Sequence, residues 1–558
     1  MSNFRRTALA SVINLALLGA TDVQAADTEA LERRIRELES RLTKMDQLEA
    51  RLEKLDKAGL LSAQPTAPAA SVQTPEVVKL TQKVNTLERK LEIQDEVTTG
   101  TLQKLPVFEA GADGFKISSS DKKHQLRIGA TLQTDYRNFL GDNAPVWTPG
   151  SPGSLEAAGP GSIFLRQARI ILEGYVFKDI YFKIMPDFAQ TSNNANMLPD
   201  AYVDYAYATQ ASLLVGKYKP PIGLERLQGD ANTAFQERAF PTNLAPNRDM
   251  GLQVHGGFAI PGYKAETAPG PIDNKNAFTY QVGITDGTGD SGNPFGNGSQ
   301  ATTSTSFANN KEFDGRLFAQ PFQHSGYAWM EGLGIGVAGS FSNPDHQTLQ
   351  AQRTPLGQSQ FIDYTQLNVT NTLSAGKTIT ADGNSNRIYP QAYWYKGPFG
   401  LMGEYVASTQ TLNLGGAQNG IKYNNITQTN KAAQVQVSYV VTGEDNTFEG
   451  VKPMRNFDPF KGSWGALQLA ARWSELTVDS RTFLLLDPTK SASKATAFAV
   501  GANWFLNRNA LIRFDFENVS FNGGAQSAAP TGTGANTIYH IANRPGEQVL
   551  STRFQLAF

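Results

Sequence analysis

The feature that most constrains this chain is an alternation of apolar and polar residues with a period of two, repeated along most of its length. In residues 125–136, Leu126, Ile128, Ala130 and Leu132 alternate with Arg127, Thr131, Gln133 and Asp135. Ile180, Phe182 and Ile184 alternate with Tyr181 and Lys183, and Ala433, Val435, Val437 and Tyr439 with Gln434, Gln436 and Ser438. Leu467, Leu469, Ala471 and Trp473 stand against Gln468 and Arg472, and Ile512, Phe514 and Phe516 against Arg513, Asp515 and Glu517. Successive side chains on a strand point to opposite faces, so each segment is a strand with one apolar and one polar face.

Two architectures use such strands, the soluble sandwich and the transmembrane barrel. The segments run to about ten residues, their connections alternate between short turns and long polar loops, and aromatics gather near segment ends; together these favour the barrel. The loops at Gly287–Asn310 and Gln347–Asn386 are rich in Gly, Ser, Thr, Asn and Gln, as a rim facing water would be. Only 40% of the 558 residues are hydrophobic, which excludes a helical membrane bundle. The net charge of −1 gives no overall attraction to nucleic acid or to anions, so any ion preference has to come from where charges sit. There is no cysteine, which suits a chain exported through an oxidising space.

The first part of the chain reads differently. Residues 1–25 have the form of a secretory signal: Arg5 and Arg6, an apolar stretch from Ala8 to Ala20, and a small-residue cleavage site at Val23-Gln24-Ala25. Residues 26–99 read as a periplasmic coiled-coil segment. Leu31, Ile35, Leu38, Leu42 and Met45, then Leu48, Leu52 and Leu55, follow spacings of three and four with one extra step of three, a stammer. A Pro- and Ala-rich linker at 58–75 cannot propagate a helix, and Val77, Leu80, Val84, Leu87 and Leu91 resume the stripe. So polar a helix needs partner helices to cover its single stripe, and parallel self-association is the simplest supply. The remainder, 100–558, is the strand-rich domain.

At the other end, Leu550, Thr552, Phe554, Leu556 and Phe558 share one face, and the sequence ends on that phenylalanine. Left as a bare edge, such a strand would invite aggregation; pairing it with the first strand removes the edge. A terminal aromatic on such a strand resembles the signal read by the outer-membrane barrel assembly machinery. The expected location is therefore the outer membrane of a Gram-negative cell, in contact with its lipids.

One stretch interrupts the alternation. Gly216–Gly251 leaves a strand carrying Lys217 and Lys219, stops it at Pro220-Pro221, and runs about thirty residues before Leu252 and Val254 resume. It holds Arg226, Arg238 and Arg248 with Glu225, Asp230, Glu237 and Asp249. Charged loops this long are usually functional. The run GKYKPPIGLER at 216–226, the pair Glu237-Arg238, and Arg248-Asp249 with Gly251 resemble the phosphate-selective porin O/P family. Phe164-Leu-Arg-Gln-Ala-Arg169 and Asp200-Ala-Tyr-Val-Asp-Tyr205 resemble the same family in the same order. The likeness extends from about residue 115 to the end.

That resemblance implies a trimeric, all-β transmembrane antiparallel barrel of about 16 strands, with the loop near 220–250 folded into the lumen as a constriction. It implies passive diffusion of small anions such as phosphate or polyphosphate. The family's anion-site lysine after G-L-E corresponds to Arg226, and its E-R arginine to Arg238. Lys217, Lys219, Arg248, Arg166, Arg169 and Arg127 are further candidates for the anion path. Paired guanidinium groups suit this task because their planar forks replace part of an oxyanion's hydration shell. Neighbouring Glu225–Arg226 and Glu237–Arg238 pairs are also expected to pin the loop. One departure stands out: where the phosphate channels carry two serines, this chain has Gly229 and Asp230. A general small-solute porin, or a structural barrel tethered by the coiled coil, stays open as an alternative.

Enzyme motifs are weak. Gly334-Ile-Gly-Val-Ala-Gly339 matches G-x-G-x-x-G but lies within an alternating strand with no helix after it. Gly289-Asp-Ser-Gly292 lies in a polar loop without the other segments of a serine protease. The five histidines form no close ligand pair. Neither an enzyme nor a cofactor is expected.

Overall fold

The computed structural model describes residues 105–558 apart from 141–144, 148–154, 158–160, 190–197, 268, 271–275, 288–310, 346, 368–377, 416–424 and 533–537. Before residue 105 it describes only Gln82, Lys83, Asn85, Thr86, Arg89, Lys90, Glu92 and Ile93, all helical and exposed. The signal segment, the coiled-coil stripe and its linker lie outside the described residues.

Sixteen antiparallel strands close into a barrel. In chain order they are β1 (Gln125–Phe139), β2 (Ser162–Val176), β3 (Ile180–Met185), β4 (Asp200–Ala208), β5 (Ala211–Tyr218), β6 (Asp249–Phe258), β7 (Phe278–Thr285) and β8 (Glu312–Ala319). There follow β9 (Leu333–Ser342), β10 (Thr378–Lys396), β11 (Phe399–Gly415), β12 (Ile426–Val440), β13 (Ala466–Thr477), β14 (Ala492–Phe505), β15 (Ala510–Thr531) and β16 (Glu547–Ala557). Each pairs with its neighbours in sequence, and β16 closes onto β1 from Val549↔Phe139 to Ala557↔Thr131. Closure pairs every strand edge, which hydrocarbon demands of any structure that crosses it.

The period of two explains which way each residue points. Leu469, Phe498, Val500, Phe514, Leu550 and Phe554 are exposed on the outer wall. Their neighbours Gln468, Arg472, Arg513, Asp515, Glu517 and Arg553 point inward and are buried. The barrel is thus apolar outside and polar inside, the reverse of a soluble sandwich.

A short hairpin, Val107–Gly111 with Gly114–Ser118, precedes the barrel and extends the sheet by pairing Phe115 with Ile128 and Ser118 with Gln125. Sequence reasoning passed over it. Its signals are a Gly111-Ala-Asp-Gly114 turn and the alternation of Phe115 and Ile117 around Lys116.

Two long-loop expectations need correction. Asn386 lies inside β10, which begins at Thr378, so the loop ends earlier than its composition suggests. Nor does most of the described part of that loop face water. Leu356, Phe361 and Ile362 are at most 2% exposed, and Phe361 and Ile362 pack with Ile222, Phe240, Tyr389, Val406 and Leu412 in an apolar cluster.

The glycines of the G-x-G-x-x-G run make space. A Cβ at Gly334 would fall 2.5 Å from the Phe318 ring and 2.7 Å from that of Tyr393. Those two rings pack at 5.2 Å, so the motif serves packing.

Candidate functional site

Tyr218 at the end of β5 pairs with Asp249 at the start of β6, so residues 219–248 leave and rejoin the wall at one level. Most of this loop is buried; Gly229 and Asn232 are exposed, and Arg226, Asp230 and Arg238 are partly buried. Gly223 begins a helical turn, Leu224–Leu227, at φ 85°, a conformation that side chains with a Cβ rarely adopt. The turn's first amide, on Leu224, donates to Glu404 Oε2 at 2.6 Å.

Beyond the turn, four successive loop carbonyls are each taken up by a wall side chain. Asn503 donates to the Ala234 carbonyl at 2.9 Å, Arg513 to Phe235 at 3.0 Å, Arg553 to Gln236 at 2.8 Å and Arg472 to Glu237 at 2.8 Å. In return, the Gln236 amide donates to Asp515 at 2.7 Å. Buried backbone groups need such partners, and four wall strands, β13 to β16, supply them. The Arg472 guanidinium also lies 4.4 Å over the Phe235 ring.

Two loop carboxylates are fixed the same way. Glu225 accepts from Arg472 at 3.2 Å, Gln434 at 2.9 Å and the Ala239 amide at 2.8 Å. Glu237 takes a two-pronged bond from Arg166, at 2.6 and 3.0 Å, with Arg137 at 3.5 Å and Arg553 at 3.6 Å. The expected neighbour pairs Glu225–Arg226 and Glu237–Arg238 are therefore replaced by pairs with the wall. Adjacent residues on an irregular loop point apart, and wall arginines at 166 and 472 fill the places.

A third carboxylate, Asp230, gathers most of the expected cations. Arg169 and Arg238 make ion pairs with it, Lys219 Nζ lies at 3.4 Å, Arg248 Nη2 at 3.7 Å, and Gln167 donates at 3.4 Å. Arg169 also pairs with Asp187 at 2.7 Å, and Arg248 with Asp200 at 2.5 Å. Burial would raise the Asp230 carboxyl, but Lys219, Arg238, Arg169 and Arg248 override it and hold the group well below the usual range. Burial pushes Lys219 well below the ordinary lysine value, further than Asp230 restores it.

Arg226 differs. Among the described residues its guanidinium makes no hydrogen bond or ion pair, and its Nε is buried without a partner. Burial first, then the nearby Arg238 and Arg248, push it down to about 9, which leaves it charged at neutral pH.

Of the remaining candidates, Arg166 sits one carboxylate away, on Glu237. Lys217 is buried at the end of β5 within electrostatic reach of Arg248, Asp200 and Asp249. Arg127 belongs elsewhere: it pairs with Glu173 and donates to the Asp113 carbonyl at 2.7 Å, towards the short-turn end. Sequence reasoning did not assign Arg137, Arg472, Arg513 and Arg553 to this site. Alternation places them on polar strand faces, but no pattern joins them to a loop hundreds of residues away.

On the short-turn side of the loop lies a cavity of about 490 Å³, lined by Arg127, Gln228, Asn232, Gln436, Gln468 and Arg508 among others.

Residues 160–558 match the family model described as phosphate-selective porin O and P. No curated protein sequence matches the chain. Among solved structures, an anion-selective porin from Comamonas acidovorans is similar at 10% identity and TM-score 0.43, covering 78% of this chain and 100% of that one. OmpT of Vibrio cholerae is similar at 9% identity and TM-score 0.43, covering 78% and 98%. OmpF of Salmonella typhi is similar at 11% identity and TM-score 0.41, covering 78% and 98%.

Proposed function

The chain belongs to the phosphate-selective porin O and P family and is an outer-membrane channel; from that premise we propose that it passes small anions, phosphate among them, by passive diffusion through a homotrimer. The loop at 219–248 is the constriction, and the observation that carries the reading is Arg226. Every other arginine of that loop has a carboxylate against it, whereas Arg226 has none among the described residues. A charge held away from bulk water keeps its field. Two unit charges 4 Å apart interact by about 4 kcal/mol at an effective dielectric of 20, against about 1 kcal/mol in water. An anion passing Arg226 meets a guanidinium with no carboxylate against it among the described residues, and a cation meets repulsion.

Trimerisation is part of this reading, because the three-four apolar stripe before residue 99 needs partner helices to cover it. The test is the reversal potential of the purified protein in planar bilayers across a KCl gradient. The channel is expected to follow chloride. A potassium-following channel would overturn the reading, and a protein without conductance steps would point to a structural barrel.

A further inference from the structure

We propose that Asp230 is a resident counter-ion: it occupies the place an oxyanion would take among Arg169, Lys219, Arg238 and Arg248, so the channel passes small anions without holding phosphate there. This rests on the anion-channel reading above and narrows its solute class.

Both carboxylate oxygens are in use. Oδ1 faces Arg238 and Lys219, and Oδ2 faces Arg169, Arg248 and the Gln167 amide. Multiple cationic donors arranged around two oxygens of one planar group make a seat for a carboxylate or phosphate. Here the chain fills that seat itself. On the side of Asp230 towards Arg238 and Glu237, a cavity lined by Gln133, Arg166, Gln167, Asp230, Glu237 and Arg238 among others holds about 10 Å³. That is room for roughly one water and none for a phosphate.

Charge leads to the same place. Arg169, Lys219, Arg238, Arg248 and the unpaired Arg226 stand against Asp187, Asp200 and Asp230. With Asp230 neutralised, two carboxylates would face five cations, a deficit that suits a multiply charged oxyanion. With Asp230 present the excess falls from three charges to two, and Arg226, which has no carboxylate against it among the described residues, is the arginine left for a passing solute, which favours weak, brief contact with a small anion.

The experiment compares the wild type with Asp230→Ala, which empties the seat of its carboxylate, using inorganic phosphate as probe. Wild-type phosphate conductance should rise linearly with concentration, and chloride current should resist block by phosphate. Asp230→Ala should be blocked at about tenfold lower phosphate or less, the change made by about 1.4 kcal/mol of binding. A wild-type conductance that saturates with phosphate would overturn the inference, and this needs no variant to fold. An Asp230→Ala channel that conducts in 1 M KCl yet resists block as the wild type does would overturn it as well. The parent reading fails by a different readout: a potassium-following wild type sinks anion preference, whatever phosphate does to the variant.

Discussion

The Glu225 carboxylate on the inserted loop meets the Arg472 guanidinium on β13 at 3.2 Å, with both side chains buried. Arg472 serves three groups at once, since it also holds the Glu237 carbonyl at 2.8 Å and lies 3.4 Å from Glu517. It is the main bolt between loop and wall.

Replacing it should therefore do more than remove one ion pair. Arg472→Ala leaves Glu225 and Glu517 buried without their cation, a loss of about 3–5 kcal/mol for a broken buried pair. The variant should melt earlier in detergent and show a larger, noisier single-channel conductance. Glu225→Gln keeps the hydrogen-bonding shape and should lie between the variant and the wild type.

Acid should loosen the loop late. Burial pushes the Glu237 carboxyl up, but Arg166, Arg553 and Arg137 hold it at about 2, below its ordinary 4.5. A depressed carboxylate stabilises the fold above its unfolded value and stops doing so as pH falls through its folded value. The Glu237 contribution, about 3 kcal/mol at 1.36 kcal/mol per pH unit, should persist at pH 5 and fade between about pH 4 and 2. Melting temperatures of the wild type and Glu237→Gln should then converge as pH falls through that window. Curves that run parallel throughout would contradict this.

How far the sequence could be read follows from the range of each interaction. Alternation is local, so Leu469 outward and Arg472 inward follow from their own segment. The loop at 219–248 is marked by Pro220-Pro221 and by charges no strand would carry. Its partners were not legible, because Asn503, Arg513 and Arg553 reach it only after the barrel has closed. The same holds for Leu356, Phe361 and Ile362, three apolar residues in a segment whose Gly, Ser and Gln content suggests a wet rim. Composition averages over a loop, whereas three side chains decide where it packs.

The end of the barrel offers a separate test. Phe558 exchanges both backbone hydrogen bonds with Ala130 at 3.0 Å, and its ring meets Phe115 edge-on at 6.3 Å. Phe558→Ser should leave processed chain in the periplasm, measured by fractionation. Normal outer-membrane levels would contradict the assignment of this strand as the insertion signal.

Deleting residues 26–99 addresses assembly. The shortened protein should keep its strand content by circular dichroism, while its trimer should dissociate at a lower temperature in detergent. A full-length protein that is monomeric at the outset would remove the basis of this expectation.

The central claim is that Arg226 sets the ion preference, and Arg226→Ala tests it most directly. Reversal potential across a KCl gradient, at about 0.1 M where the Debye length is about 10 Å, should move towards potassium. The shift should shrink towards 1 M, where charges are screened within about 3 Å. A reversal potential identical to that of the wild type at low salt would contradict the account.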